Sequence, residues 1–211
     1  AGESSALMSS LEGYKAQPRL KRPRSVEKGL WAKPTCMNNV ETFANCPHIV
    51  GQGGDWYASI GTRDSAGTKL FSVAGAINRT GVVEVPFGVT MNQVIEACGG
   101  PKPGSTLKMA QLDGQAGGIL PASLFDMPMD ISSYNKVLAP VGSGGVLIMD
   151  ESTCCNDLLW FCLDFNEDES CDRCTTCRVA TTKSKRLFER VALGRGGAGD
   201  LATMFDMAEA M

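Results

Sequence analysis

The sequence predicts an α+β protein: a small module of strands around one helix, followed by a helical bundle that carries a cysteine-rich loop. Three observations predict it. Between residues 68 and 113, apolar runs of strand length alternate with turn residues and one capped helical stripe. From about residue 152 onward, apolar side chains recur at helical spacing. Within that helical part, Cys171, Cys174 and Cys177 stand at C-x-x-C-x-x-C spacing with Arg178 straight after, close enough in sequence to turn their sulfurs toward one point.

Composition narrows the class. A chain of 211 residues, 43% apolar and 20% charged, is ordinary globular material of one or two domains. A net charge of −3 gives no electrostatic reason to expect nucleic acid or an anionic membrane as partner. No apolar run reaches the roughly 18 residues of a spanning helix. Nine cysteines is an odd count and no secretory segment precedes them, so reduced thiols in a cytoplasmic protein are expected rather than a disulfide scaffold. The start, Ala1-Gly2-Glu3-Ser4-Ser5-Ala6-Leu7-Met8, reads as mid-domain sequence. At the other end Leu201, Met204, Phe205, Ala208 and Met211 form an apolar stripe that is still running, behind Asp200 as N-cap. A fragment of a longer chain is therefore expected.

Residues 1–67 form the first region. Pro18, Pro23 and Pro34 exclude a long helix there. Arg19-Leu20-Lys21-Arg22-Pro23-Arg24 is locally basic, which implies a solvated loop or, alternatively, a surface facing an anionic ligand. Asn38-Asn39-Val40-Glu41-Thr42 reads as a helix start. In the second region, 68–113, residues 69–77 and 82–85 read as strands joined by the turn Asn78-Arg79-Thr80-Gly81. Thr90 and Gln93 form a capping box for a helix whose face is Met91, Val94, Ile95 and Cys98, stopped by Gly99-Gly100. Residues 107–112 return as a strand. Hairpin, helix, strand is the order of a β-grasp module, with Cys98 in its core.

Residues 114–151 read as a connecting segment with a buried strand. Gly114 to Pro121 is a glycine-rich loop, and Val146-Leu147-Ile148-Met149 is the strand. The turn before it, Gly142-Ser143-Gly144-Gly145, is a weak phosphate-loop signal because a strand follows it, not a helix. Residues 152–211 are helical. Leu158, Leu159, Phe161, Cys162 and Phe165 mark an apolar helix, on which Cys154, Cys155 and Cys162 are expected to be structural. Ser170 is the expected N-cap beside the cysteine loop, and 179–193 reads as an amphipathic helix. Gly194-Arg195-Gly196-Gly197-Ala198-Gly199 looks like a nucleotide loop, yet it joins two helices and is read as a helix stop plus linker.

The cysteine motif is compatible with zinc or with an iron–sulfur cluster. Zinc sites usually come as two separated pairs or with histidine, and the single histidine, His48, is expected in a loop or core. Three thiolates in one tight run favour a cluster, whose four-thiolate requirement leaves the fourth ligand to an earlier cysteine or to a segment outside this sequence. The rival is a non-enzymatic β-grasp binding module with a zinc-stabilised helical tail.

Gly2-Glu3, Ser10-Leu11-Glu12-Gly13, Pro18-Arg19, Lys33-Pro34-Thr35, Asn38-Asn39-Val40-Glu41-Thr42, Asn45, Pro47, Gly67-Thr68-Lys69, Gly142-Ser143-Gly144-Gly145, Met149-Asp150 and Glu169-Ser170-Cys171 through Cys177-Arg178 together resemble, in order, the flavin-carrying subunit of NADH:quinone oxidoreductase (respiratory complex I) and the matching subunits of NAD(P)-linked hydrogenases and formate dehydrogenases. The resemblance implies a subunit that takes a hydride from NAD(P)H onto FMN and passes electrons to a [4Fe-4S] cluster. It implies that 1–67 is the tail of an α/β flavin-binding domain, in which Gly2, Glu3, Asn38, Asn39 and Thr42 belong to the FMN site. It implies that the module at 68–113 is a soluble-ligand-binding β-grasp, and that 152–211 is a truncated cluster-bearing helical domain with Cys171, Cys174 and Cys177 as three ligands and the fourth beyond Met211. Partners would be other subunits of a redox complex, including a ferredoxin-like iron–sulfur subunit, with no direct membrane insertion and at most a peripheral place on a membrane complex.

Three departures from the resemblance bear on chemistry. The glycine-rich loop that holds the FMN and NADH phosphates in the family is absent from this stretch. Where complex I subunits often carry Gly-Glu-Glu-Thr, this chain has Gly2-Glu3-Ser4-Ser5, which leaves NADH against NADPH open. The loop reads Cys171-Asp172-Arg173-Cys174-Thr175-Thr176-Cys177, adding one anion and one cation beside the cysteines.

Overall fold

The computed structural model describes residues 2–20 and 22–211; Ala1, and Lys21 of the basic run, lie outside the described residues. The elements in order are α1 (Ser4–Leu11), α2 (Ser25–Lys28), α3 (Val40–Gln52), α4 (Gly54–Ala58), β1 (Thr68–Gly75), β2 (Gly81–Pro86), α5 (Met91–Ala97), β3 (Leu107–Leu112), β4 (Ile119–Pro121), α6 (Ile131–Lys136), β5 (Gly145–Asp150), α7 (Cys155–Asp168), α8 (Thr175–Ala192) and α9 (Asp200–Ala210). They group into two compact units, 47–162 and 1–46 with 163–211.

The unit of residues 47–162 is built on one open mixed sheet in the order β2-β1-β5-β3-β4. β1 and β2 form the expected hairpin, Thr68 opposite Pro86 through Val73 opposite Gly81. Asn78 locks its turn by donating its side-chain amide to the carbonyls of Gly99 and Pro101 at 2.7 and 2.9 Å. Thr90 and Gln93 make the reciprocal cap of α5. Met91, Val94, Ile95 and Cys98 then point inward against Phe71, Val73, Leu112, Leu120 and Ile148, all buried. Each large apolar side chain so buried stabilises the fold by about 1.5–3 kcal/mol. Burial pushes the Cys98 thiol up, as befits a packed sulfur.

Three features of this unit differ from the sequence expectation. The strand of the connecting segment, β5, is the centre of the sheet: it runs parallel to β1 and antiparallel to β3. Gly75 permits this pairing, since its φ is +103° and a Cβ there would stand 2.0 Å from the Ile148 carbonyl oxygen. The glycine-rich stretch expected to loop out ends in a short strand, β4, paired with β3. An additional helix, α6, is nucleated by Asp130, whose carboxylate accepts from the Ser133 N–H at 2.7 Å and from the hydroxyls of Ser132 and Ser133. The 142–145 turn does not present its amides to a ligand at Ser143: the Asp113 carboxylate accepts from both the N–H and the hydroxyl of Ser143 at 2.6 Å.

The other unit holds α1, α2, α8 and α9. As the prolines required, the described residues of 15–33 contain nothing longer than α2 and a single 3-10 turn, Leu30–Ala32. Gly29 lets that turn close on Thr35, where a Cβ would meet the threonine side chain at 2.5 Å. Helix α8 begins at Thr175, four residues before the expected start, and Gly194 ends it at φ +70°. Lys185 on α8 reaches Asp164 at 2.6 Å and Glu167 at 2.7 Å on α7, while Arg190 pairs with Asp200 across the glycine linker at 3.3 Å. The 194–199 run thus connects helices, as read from sequence. Asp200 is the first residue of α9, not its N-cap.

Candidate metal centre

The cysteine loop follows α7 directly. Its turn is set by Asp172, whose φ of +58° is left-handed, and is tied by three hydrogen bonds, two local and one from far along the chain. The Asp172 N–H donates to the Ser170 hydroxyl at 3.3 Å, the Arg178 guanidinium donates to the Asp172 carbonyl at 2.8 Å, and the Gln17 side chain donates to the Cys171 carbonyl at 3.3 Å. Ser170 is therefore a loop brace, not the N-cap of the following helix. That position is Cys174, and no side chain caps α8. Cys177 sits in the first turn of α8, its sulfur 3.7 Å from the Ser170 hydroxyl.

All three thiols are free; Cys171 and Cys174 are exposed and Cys177 is half-buried. The first turn of α8 carries no acidic residue, so its unpaired N–H groups present positive charge to the loop. The donor set is soft sulfur without imidazole, which suits an iron–sulfur group. Among the described residues no three His, Cys, Asp or Glu side chains stand close enough together to hold a metal ion. His48, expected in a loop or core, lies exposed on α3. Of the cysteines expected to be structural, Cys154 precedes α7 and is exposed, Cys155 opens α7 and is exposed, and Cys162 is half-buried, accepting from the Gln111 amide at 3.2 Å.

Glu3 is the N-cap of α1. Its carboxylate accepts from the Ala6 N–H at 2.8 Å and the Ser5 hydroxyl at 2.5 Å, and the Ser5 bond holds it below the usual carboxylate range. Gly2 is exposed, with open space where a Cβ would be. Asn38, Asn39 and Thr42 are exposed around the start of α3; the Asn39 carbonyl accepts from the Phe43 N–H, and the Asn38 amide points to the Cys36 sulfur at 3.7 Å.

A cleft of about 1070 Å³ joins two of these places. Glu3, Ser4, Glu12, Arg19, Arg22, Arg24 and Lys28 line it together with Arg173 of the cysteine loop. Asn38, Asn39 and Thr42 are not on its wall. The basic run is the sequence signal for this cationic lining: Arg19, Arg22 and Arg24 come to one concave surface beside α1. A smaller groove of about 430 Å³ lies on the unit of residues 47–162, between Gly75, Leu147, Met149 and the α7 residues Leu158 and Phe161, with Lys102 at its edge.

The chain thus combines a mixed sheet module with a helical unit that bears an exposed three-cysteine loop. Residues 157–211 match the NADH-ubiquinone oxidoreductase-F iron-sulfur binding region, and residues 70–120 match the SLBB domain. Along nearly its whole length the chain is similar to F subunits of NADH-quinone oxidoreductases and to subunits of NAD(P)-reducing hydrogenases. It is 40% identical over 209 residues to the NADP-reducing hydrogenase subunit HndC of Solidesulfovibrio fructosivorans, covering 99% of this chain and 43% of that one. It is 38% identical to the NADH-quinone oxidoreductase F 2 subunit of Rhizobium meliloti (strain 1021), over 95% of this chain and 48% of that one. Its fold matches a crystal structure of an NAD+-reducing [NiFe]-hydrogenase in the H2-reduced state with a TM-score of 0.88 at 35% identity, covering 100% of this chain and 36% of that one. The chain spans less than half the length of these relatives.

Proposed function

We propose that this chain is the cluster-bearing part of an NAD(P)H-linked oxidoreductase subunit, in which Cys171, Cys174 and Cys177 are three ligands of a [4Fe-4S] cluster and Gly2, Glu3, Asn38, Asn39 and Thr42 contribute to the FMN site. The observation that carries it is the shared cleft: Arg173, inside the cysteine motif, and Glu3 both line it. When bound, flavin converts the two electrons of a hydride into single electrons that the cluster carries. The chain's own part is placement. Arg178 and Gln17 hold the loop backbone, the α8 N-terminus favours an anionic group over it, and α1 holds the Glu3 carboxylate ionised at the cleft. The zinc-tail alternative is set aside, because the matched region is an iron–sulfur one and the single histidine is far along the sequence, exposed on α3.

The sheet order, with β1 and β5 parallel at its centre, supports the β-grasp reading, and the module then runs from β1 through β5 instead of ending at residue 113. Its groove is the place for a soluble ligand. The relatives' names support assembly with further subunits of a redox complex, and a ferredoxin-like iron–sulfur subunit is among the partners of this reading. No helix among the described residues is long and apolar enough to cross a membrane, and a cytoplasmic protein, or one peripheral on a membrane complex, is the reading we adopt.

The test is anaerobic reconstitution of the full-length protein, with iron and acid-labile sulfide assays and EPR after reduction. About four irons and four sulfides, lost in Cys174→Ser, are expected from four-thiolate ligation. Zinc without sulfide would overturn the assignment.

A further inference from the structure

We propose that the cleft beside α1 selects a dinucleotide carrying a 2′-phosphate, with Arg22, Arg24 and Lys28 as the discriminating residues; this rests on the NAD(P)H-linked reading above. Among the described residues five cationic side chains line the cleft, Arg19, Arg22, Arg24, Lys28 and Arg173, against two carboxylates, Glu3 and Glu12. Both carboxylates are already engaged. Glu3 caps α1, and Glu12 accepts from the Trp31 N–H at 2.6 Å and pairs with Arg19. The Trp31 bond comes first in holding Glu12 ionised and below its ordinary value. Among the described residues Arg22, Arg24, Lys28 and Arg173 have no acidic partner.

Unpaired like charges around a concave wall repel one another until an anion screens them, and low-dielectric walls focus their field on the ligand. The cleft's volume suits a nucleotide. A dinucleotide without the extra phosphate brings only its pyrophosphate charge, fewer than these cations can satisfy. The 2′-phosphate is a dianionic monoester, and guanidinium groups recognise such a group bidentately, with lysine as a point charge. Ser4, a neutral hydroxyl residue next to Glu3, lines the cleft and adds no repulsion there. Arg22 and Arg24 flank Pro23 and are exposed, so they are free to close on a ligand without breaking any internal ion pair.

Two measurements on the full-length, cofactor-loaded protein decide this. In calorimetric titration, 2′,5′-ADP is expected to bind at least about tenfold tighter than 5′-ADP, the scale of one charge-assisted contact, with inorganic phosphate weaker than either. In steady-state assays the NADPH-to-NADH ratio of kcat/KM should fall about tenfold in Arg22→Ala or Arg24→Ala and be partly restored in Arg24→Lys. Equal binding of the two adenosine nucleotides, or equal loss toward both dinucleotides in the variants, would overturn the proposal. Failure of either dinucleotide to reduce flavin would instead sink the redox reading, while the 2′,5′-ADP titration would still decide the cleft.

Discussion

Tyr134 shows how a single buried group sets a measurable property. The residue has no exposed surface, and its hydroxyl has no hydrogen-bond partner among the described residues. Burial first, then the Asp130 carboxylate, push its pKa up to about 12. A phenol ordinarily titrates near 10, so the folded state keeps a proton that the unfolded chain releases. Stability from this source is whole below about pH 10 and is lost as pH rises toward 12. Tyr134→Phe is expected to flatten the melting temperature across that window. At neutral pH the same variant should be neutral or stabilising by up to about 1 kcal/mol, because it removes an unpaired buried hydroxyl. A clear drop in melting temperature at pH 7 would show that the hydroxyl has a partner.

At the scale of elements, the end of the β1–β5 ladder closes on Ile148 because Gly75 has no side chain. Gly75→Ala forces a Cβ into the Ile148 carbonyl at a left-handed φ, and a loss of at least about 2 kcal/mol in denaturant titration is expected. The α7–α8 pair depends on Lys185 between Asp164 and Glu167. The Lys185 ammonium, by direct hydrogen bonding, holds the Glu167 carboxyl below its ordinary 4.5. A depressed carboxylate contributes stability above its unfolded pKa and loses it as pH falls. Lys185→Gln should therefore lower the melting temperature at pH 7 and shrink its decline between pH 5 and pH 3. Local order was legible at this scale wherever a cap or turn residue announced it, as with Thr90 and Gln93. Helix α6 went unseen although Asp130 with Ser132 and Ser133 carried a capping signal, because the helix is six residues long and shows no apolar stripe.

For the whole molecule, the cysteine loop and the cleft make separable claims. Cys171→Ser, Cys174→Ser and Cys177→Ser should each abolish iron retention in the full-length protein. Cys155→Ser should leave the iron content unchanged, since that thiol opens α7 away from the motif in sequence. Iron lost equally in all four variants would point to general unfolding, not to ligation.

From the sequence alone, the hairpin, α5, β3 and the three-cysteine spacing could be read, because each is encoded by residues within one or two turns of one another. The resemblance to flavin-carrying redox subunits was likewise carried by contiguous motifs. Tertiary structure decided the rest. It placed β5 at the centre of the sheet, since parallel pairing with β1 joins segments about 70 residues apart and leaves no local signature. It made Ser170 a brace and Cys174 the N-cap, which depends on where the loop backbone turns at Asp172. It also gathered Arg22, Arg24, Lys28 and Arg173 around one cleft, because the field of a concave wall depends on distance in space and not on position in the chain.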